Sequence, residues 1–131
     1  MNTNVIHEVL AESQGGKLIF PEVVRRLLEV GVESYFCDLA NGVETFYMTD
    51  GKTHAEKMVL PLTAVAEEFS LQDVVAAIRG AQADTIRYLE FMKRSAAAGV
   101  IAYWAFLTGK KVIYFGRRGE MHVEEFPVAK P

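Results

Sequence analysis

The sequence predicts an α+β fold in which helices cover an antiparallel sheet, arranged as two similar ααβββ halves. Three observations predict it. The block Gly31 to Met58 recurs as the block Gly99 to Phe126. Each copy follows two stretches whose apolar residues have helical spacing. Within each copy, short runs of strand-forming residues alternate with tight turns, and tight turns join antiparallel neighbours.

Ten identities relate the two copies, whereas ordinary residue usage predicts about two by chance. In most of these pairs, the two residues are as far apart in the sequence as Gly31 and Gly99, a distance called here the repeat spacing. Two further pairs align only if the second copy is shifted by a single position between its two glycine turns. We interpret the pattern as an internal duplication, so residues 1–131 form one domain of two repeats, at about 4–58 and 71–126. The identities are Arg26/Arg94, Gly31/Gly99, Val32/Val100, Tyr35/Tyr103, Leu39/Leu107, Gly42/Gly109, Tyr47/Tyr114, Gly51/Gly119, His54/His122 and Glu56/Glu124.

The first half predicts two helices and three strands. Apolar residues at helical spacing predict a helix over about 4–14. Pro21 suits the first turn of a second helix, which Gly31 ends. Asn-Gly and Asp-Gly turns then separate runs of strand-forming residues, which predicts a three-stranded meander. Its strands are expected over 33–39, 45–49 and 52–58.

The second half predicts the same order of elements. Ser70 is expected to cap a third helix, and Gly80 is expected to interrupt it. Asp84 or Thr85 is expected to start a fourth helix, which Gly99 ends. Three strands follow, over 100–107, 112–115 and 120–126.

The strand over 100–107 is apolar on both faces. One face carries Val100, Ala102, Trp104 and Phe106, and the other carries Ile101, Tyr103, Ala105 and Leu107. Such a strand needs cover on both faces, either within the chain or from a second subunit. We therefore expect a homodimer. The sequence leaves open whether the two meanders join edge to edge or stack.

The composition excludes several classes of protein. The chain is 50% hydrophobic and 24% charged, with a net charge of −3, so no basic surface for nucleic acid is expected. Cys37 is the single cysteine, which excludes an internal disulfide and fits the cytoplasm. No apolar run is long enough to cross a membrane, and the N-terminus does not resemble a signal peptide. We expect a cytoplasmic protein without membrane contact or cofactor.

Three segments carry a family resemblance: FPEVVRRLLEVGVESYFCDL, TFY followed by DGKTH, and GRRGEMHVEEFP. From about Asn4 to Pro127, the chain resembles a family of small uncharacterised bacterial proteins with prophage-encoded members such as YdfO and YbcV. The resemblance implies an α+β fold and supplies no catalytic residues. Some members carry the label "phage envelope protein", which makes a virion-associated structural protein one hypothesis.

The duplicated His-x-Glu motif is the most specific candidate site. Residues two apart share a strand face, so His54 lies beside Glu56 and His122 beside Glu124. Met121 and Val123 are expected to be the core residues of the last strand, which leaves the His-Glu pair facing solvent or a cleft. If the two copies converge, they could bind a divalent metal or act as an acid–base pair. The alternative is an ordinary polar strand face preserved by common ancestry.

Strand aromatic residues form a second candidate, a pocket or an interface. Aromatic side chains on strands usually build the core, but a tyrosine-lined sheet face also makes a ligand pocket. Arg117 and Arg118, at a turn, could hold an anionic group. The candidate residues are Tyr35, Tyr47, Tyr103, Trp104, Tyr114, Phe115 and Arg117.

Cys37 is interpreted as a small buried hydrophobic residue rather than a nucleophile, because a lone mid-strand cysteine usually packs in the core.

Three functional hypotheses follow. We favour a non-enzymatic binding or interaction module that is homodimeric. The second hypothesis is a small enzyme or ligand- or metal-binding protein that uses the His54/Glu56 and His122/Glu124 set, and it requires both histidines near one pocket. The third is the virion-associated protein, which would have to co-purify with particles.

Overall fold

The computed structural model describes residues 3–58 and 64–127. They form four helices and a six-stranded antiparallel sheet, which confirms the α+β class. The first half contains α1 (Thr3–Gln14), α2 (Phe20–Glu29), β1 (Val32–Asp38), β2 (Val43–Met48) and β3 (Thr53–Lys57). The second half contains α3 (Leu71–Gln82), α4 (Tyr88–Ala97), β4 (Val100–Phe106), β5 (Lys111–Gly116) and β6 (Met121–Glu125).

Each element of the second half begins and ends exactly one repeat spacing after its counterpart, as α3 does relative to α1. The residues with positive φ recur at the same spacing. The structure thus repeats its element order at the spacing seen in the sequence, while a duplication as its origin stays an interpretation. The positive-φ pairs are Gly16/Asp84, Gly31/Gly99, Gly42/Lys110 and Gly51/Gly119.

Because the spacing is constant, the single-position shift that the sequence alignment assumed between the two turns does not occur. Gly42, with φ 72°, corresponds to Lys110, with φ 58°, and not to Gly109. Tyr47 is half-buried on one face of the sheet, whereas Tyr114 is buried on the other face. The shift was wrong because it matched glycine to glycine, whereas the left-handed turn position in the second half is occupied by a lysine.

The boundary between α3 and α4 also differs from the prediction. Gly80 does not interrupt α3, because the helix continues to Gln82. A Cβ at Gly80 would lie 3.2 Å from the Ile86 side chain, so glycine permits close packing of the following loop. Asp84 adopts φ 57°, outside the helical region, and α4 starts only at Tyr88. Ser70 caps α3 as predicted, since its hydroxyl accepts from the backbone N–H of Asp73 at 3.3 Å.

The strand order is β3-β2-β1-β4-β5-β6. Since β1 pairs with β4, the two meanders join edge to edge, which answers the question that the sequence left open. In that pairing Phe36 lies directly opposite Trp104, which stands one repeat spacing later in the sequence. The sheet is therefore approximately two-fold symmetric about this pair, and β3 and β6 are the two outer strands.

The helices lie on one side of the sheet, called here the covered face. Contacts to this face come from His7 on α1, Arg79 on α3, and Tyr88 and Phe91 on α4. The core lies between these helices and the sheet. The strand residues that point toward it include Tyr35, Cys37, Phe46, Met48, Tyr103, Ala105, Val112 and Tyr114.

The other side of the sheet, called here the open face, carries the alternate strand residues. Most of its central positions are apolar or aromatic, with Ser34 and Thr45 as polar exceptions, and they belong neither to the core cluster nor to the partly buried side chains packed on it. A register shift separates fully buried Val100 from Ala102, so Val100 does not share the face of Trp104 as predicted. The open face includes Phe36, Thr45, Tyr47, Ala102, Trp104, Phe106, Ile113, Phe115, Met121 and Val123.

Candidate functional site

The two His-x-Glu motifs lie on the outer strands β3 and β6, at opposite edges of the sheet. Five strand spacings of about 4.8 Å separate these strands, which amounts to about 24 Å. His54 and His122 therefore do not converge, and the combined set required by the enzyme hypothesis does not form. In the described part of the chain, no group of three or more His, Cys, Asp or Glu side chains is placed to hold a metal ion.

Each motif instead connects an edge strand to the helical layer. His54 Nε2 lies 2.9 Å from Glu56 Oε1, and Glu56 Oε2 lies 3.3 Å from His7 Nδ1 on α1. Burial raises the pKa of Glu56, but its bonds to His54 and His7 outweigh that effect and hold the pKa below 4.5. The carboxylate is therefore ionised at neutral pH and contacts both layers.

The second motif repeats this arrangement with a different helical partner. His122 Nε2 lies 3.1 Å from Glu124 Oε1, and Arg79 on α3 donates to Glu124 Oε2 at 2.7 Å. Burial raises the pKa of Glu124, but the bonds from Arg79 and His122 outweigh it and lower the pKa below 4.5. Glu124 also lines a cavity, which Glu56 does not.

The expected orientation of the last strand was wrong. Met121 and Val123, predicted to be core residues, are 59% and 46% exposed on the open face. His122 and Glu124 point toward the helices, where their side chains are 21% and 16% exposed. The polar residues face inward because Arg79 supplies a partner there.

The predicted aromatic set divides between the two faces of the sheet. Tyr35, Tyr103 and Tyr114 are buried on the covered face and line the cavity. Tyr47 and Trp104 lie on the open face, with their rings stacked at a centroid distance of 5.4 Å. The two groups belong to separate surfaces.

Arg117 joins neither group of aromatic side chains. It lies in the turn between β5 and β6, where its guanidinium donates to the Val65 carbonyl at 3.4 Å. The neighbouring Arg118 bonds to Glu67 at 2.6 Å. These turn arginines thus contact the segment that precedes α3.

The aromatic cluster of the open face is centred on Trp104. Phe36 contacts it edge-on at 5.2 Å, and Phe106 stacks on it at 5.2 Å. The indole Nε1 of Trp104 is buried, and within the described residues it has no hydrogen-bond partner. Buried tryptophan N–H groups usually have an acceptor, so Trp104 carries an unsatisfied donor within the described residues.

The cavity lies between the covered face and the helices and has a volume of about 230 Å³. Tyr35, Tyr103 and Tyr114 form its sheet side, and Phe91 packs edge-on against the last two. On the helical side it is lined by residues of α2, α3, α4 and the loop between α3 and α4. Phe20, which is 37% exposed, forms a T-shaped pair with Phe126 along the cavity wall.

A buried carboxyl group behind the cavity was missed by the sequence analysis. Glu44 is 3% exposed and accepts a hydrogen bond from the Tyr88 hydroxyl at 2.7 Å. Burial raises its pKa to about 7, although the hydrogen bond from Tyr88 opposes that shift. Glu44 alternates with buried Phe46 and Met48 on β2, but the predicted strand began only at Thr45. Extending the strand back toward the Asn-Gly turn would have placed Glu44 inside.

Cys37 is fully buried beside this carboxyl group, as its packing interpretation predicted. Its thiol donates to the Met58 sulfur at 3.8 Å. Burial, with Glu44 nearby, raises the thiol pKa well above 9.0, so the reactive thiolate is disfavoured.

The helices of the described segments are all too short, or too polar, to cross a membrane. No curated protein matches the chain. The model of one family does match, over residues 11–125, and that family is described as a protein of unknown function, DUF1398. The match spans most of the α+β fold described above, and the chain accordingly belongs to the DUF1398 family.

Proposed function

We propose that the protein is a non-enzymatic interaction module of the cytoplasm that works as a homodimer, in which the open faces of two copies pack together. The aromatic open face, centred on Phe36 and Trp104, is the observation that carries this proposal. The separation of the two His-Glu pairs supports a function without catalysis by that set.

The size of the open face suits self-association. Six strands at about 4.8 Å and five residues at about 3.3 Å give a footprint of about 29 by 17 Å. Two such faces in contact bury on the order of 1,000 Å², the threshold that a predicted biological interface has to reach. Removing this much aromatic and aliphatic surface from water is the principal favourable term in such an association.

The charges on the open face also favour a second copy as the partner. The described strand residues of this face include two acidic and two basic side chains, all at strand ends. Opposite signs in equal number give no net repulsion between identical faces, and the central row is uncharged. The four side chains are Asp38, Lys57, Lys111 and Glu125.

Sedimentation equilibrium of three proteins tests the proposal. Ile113 pairs with Trp104 near the centre of the open face and is half-buried, so Ile113→Glu places a charge in the interface without entering the core. Leu71→Glu is the matched control, because Leu71 is 52% exposed on α3. The wild type and Leu71→Glu should sediment at twice 14.6 kDa, and Ile113→Glu at 14.6 kDa. A monomeric wild type at tens of micromolar, or a dimer that Leu71→Glu disrupts and Ile113→Glu does not, refutes it.

A further inference from the structure

The cavity on the covered face is a separate feature from the proposed dimer interface, because its sheet-side lining residues point toward the helices. An engineered apolar cavity of about 150 Å³ holds benzene, so about 230 Å³ accommodates a molecule of roughly ten non-hydrogen atoms. Hydrocarbon and tyrosine side chains make up most of the wall. The size and the wall therefore fit one aromatic ring with a short substituent.

Positions one repeat spacing apart show how apolar this side of the helical layer is. Tyr88 and Glu44, joined by a hydrogen bond of 2.7 Å, stand one repeat spacing from Phe20 and Val112, respectively. Phe20 and Val112 both line the cavity, and neither has a side chain that can form a hydrogen bond. Where one half of the chain places a hydroxyl against a carboxyl, the other half thus places two hydrocarbon side chains on the cavity wall.

The charged groups at one end of the cavity are already paired with each other. Arg87 donates to Asp84 Oδ2 through Nη2 at 3.1 Å, and its Nε lies 2.5 Å from Asp84 Oδ1. Its Nη1 donates to the Gly16 carbonyl at 2.7 Å. The Glu125 side chain lies on the open face, beside Lys111 on the neighbouring strand, and so points away from the cavity.

The carboxylate of Glu124 is also fully engaged. Its Oε1 lies 3.1 Å from His122 Nε2, and its Oε2 accepts from Arg79 at 2.7 Å and from Gln82 at 3.4 Å. Among the described lining residues, every charge that faces the cavity therefore has its partner within the chain. A buried ion without a counter-charge is far more costly than a buried uncharged group, so this wall disfavours both cations and anions.

The tyrosines on the sheet side add no charge. Burial raises the pKa of the Tyr35, Tyr103 and Tyr114 hydroxyls, so these groups stay neutral. Their rings, with Phe91 edge-on to the last two, provide the edges and faces against which another aromatic ring packs favourably.

We propose that this cavity is a binding site for a compact, uncharged aromatic molecule, whose ring packs against Phe91, Tyr103 and Tyr114. The pairing of the surrounding charges within the chain excludes ions of the same size. The proposal is independent of the homodimer, since it concerns the opposite face of the sheet.

Three probes test the selection against charge: 2-phenylethanol, 2-phenylethylamine and phenylacetate. They share a phenyl ring and a short chain, but at neutral pH the first is uncharged, the second is a cation and the third an anion. Each is titrated into the full wild-type chain while the NMR signals of the tyrosine rings are observed. Phenylethanol should shift the signals of Tyr103 and Tyr114 saturably and bind at least about tenfold tighter than either ion. Tyr47, on the open face, should keep its signals.

A matched pair of variants on α3 locates the bound molecule. Ala81 lines the cavity, whereas Ala76 is exposed on the same helix and does not line it. Ala81→Phe occupies part of the cavity and should weaken phenylethanol at least about tenfold, because close-packed walls leave no other room. Ala76→Phe makes the same change of residue and should leave the affinity unchanged.

The order of the three probes is measured on the wild type, so it tests the proposal even where Ala81→Phe does not fold. Tightest binding of phenylethanol, lost in Ala81→Phe and kept in Ala76→Phe, supports the site. Either ion binding as tightly as phenylethanol, equal losses in the two folded variants, shifts confined to Tyr47, or no shift with any probe overturns it.

Discussion

Phe36 and Trp104 lie directly opposite each other where the two halves of the sheet join, with ring centroids 5.2 Å apart and planes at 79°. They also stand one repeat spacing apart in the sequence. The pair therefore marks both the centre of the sheet and the centre of its open face. Equivalent residues lie progressively farther apart toward the sheet edges, which places the two His-Glu motifs at the greatest separation.

The raised pKa of Glu44 predicts that the free energy of unfolding falls as pH rises through neutrality. Its pKa is 4.5 for an exposed carboxyl and about 7 in the folded state, so the folded state binds the proton more tightly. The resulting stabilisation is present in full below pH 4.5 and is lost as pH rises through 7, and it amounts to about 3 kcal/mol. Glu44→Gln keeps an acceptor for Tyr88 and should abolish most of this slope in the free energy of unfolding between pH 5 and 8.

Urea unfolding at a series of pH values measures this slope. Glu90→Gln provides the control, because the Glu90 side chain is 51% exposed on α4 and pairs with Arg94 rather than with a histidine. That variant should keep the wild-type slope between pH 5 and 8. If Glu44→Gln and the wild type have parallel curves over this range, the assignment of the slope to Glu44 is wrong.

Substitution by alanine should destabilise the protein more at Gly99 than at Gly31, although the two glycines stand one repeat spacing apart. Their φ angles are 92° and 87°, so alanine at either position costs about 1 to 2 kcal/mol in backbone strain. A Cβ at Gly99 would also meet the Glu68 carbonyl oxygen, whereas a Cβ at Gly31 would have its nearest side-chain neighbours 3.8 Å away. Gly99→Ala should therefore lose a further 1 to 3 kcal/mol or so. Thermal unfolding of both variants measures this, and equal losses would contradict the contact.

Zinc should not bridge the two His-x-Glu motifs. Zinc ligands lie about 2 Å from the ion, whereas the outer strands are about 24 Å apart. One equivalent of Zn²⁺ should leave the NMR signals of His54 and His122 without a common transition, and a chelator should leave the melting temperature unchanged. A tight one-to-one complex that both His54→Gln and His122→Gln abolish is the result that this topology forbids.

Local sequence patterns predicted the order and type of the helices and strands in residues 3–58 and 64–127, because helical spacing, caps and tight turns are short-range signals. They failed where a long-range partner decides the outcome. His122 and Glu124 face the helices because Arg79, far from Glu124 along the chain, supplies the ion pair. Met121 and Val123 face outward because the open face is itself apolar, and alternation alone does not say which of two apolar faces is covered.

The candidate sites were predictable only as lists of residue types. Tyr35 and Trp104 occupy adjacent strands, and strand parity places them on opposite faces, but the predicted set treated them together. The separation of the His-Glu motifs follows from the β1–β4 pairing, which no local pattern specifies. The buried Glu44 was missed because the strand was expected to begin immediately after it.

The central claim, that the open faces pair, is tested most directly by the fluorescence of Trp104, the single tryptophan, at the centre of that face. Burial of the ring in a dimer predicts that its emission maximum moves to longer wavelength on dilution, in step with the fall in mass from twice 14.6 kDa to 14.6 kDa. Ile113→Glu should show the long-wavelength emission at every concentration. An emission maximum that stays constant while the mass halves would place the interface elsewhere and contradict the account.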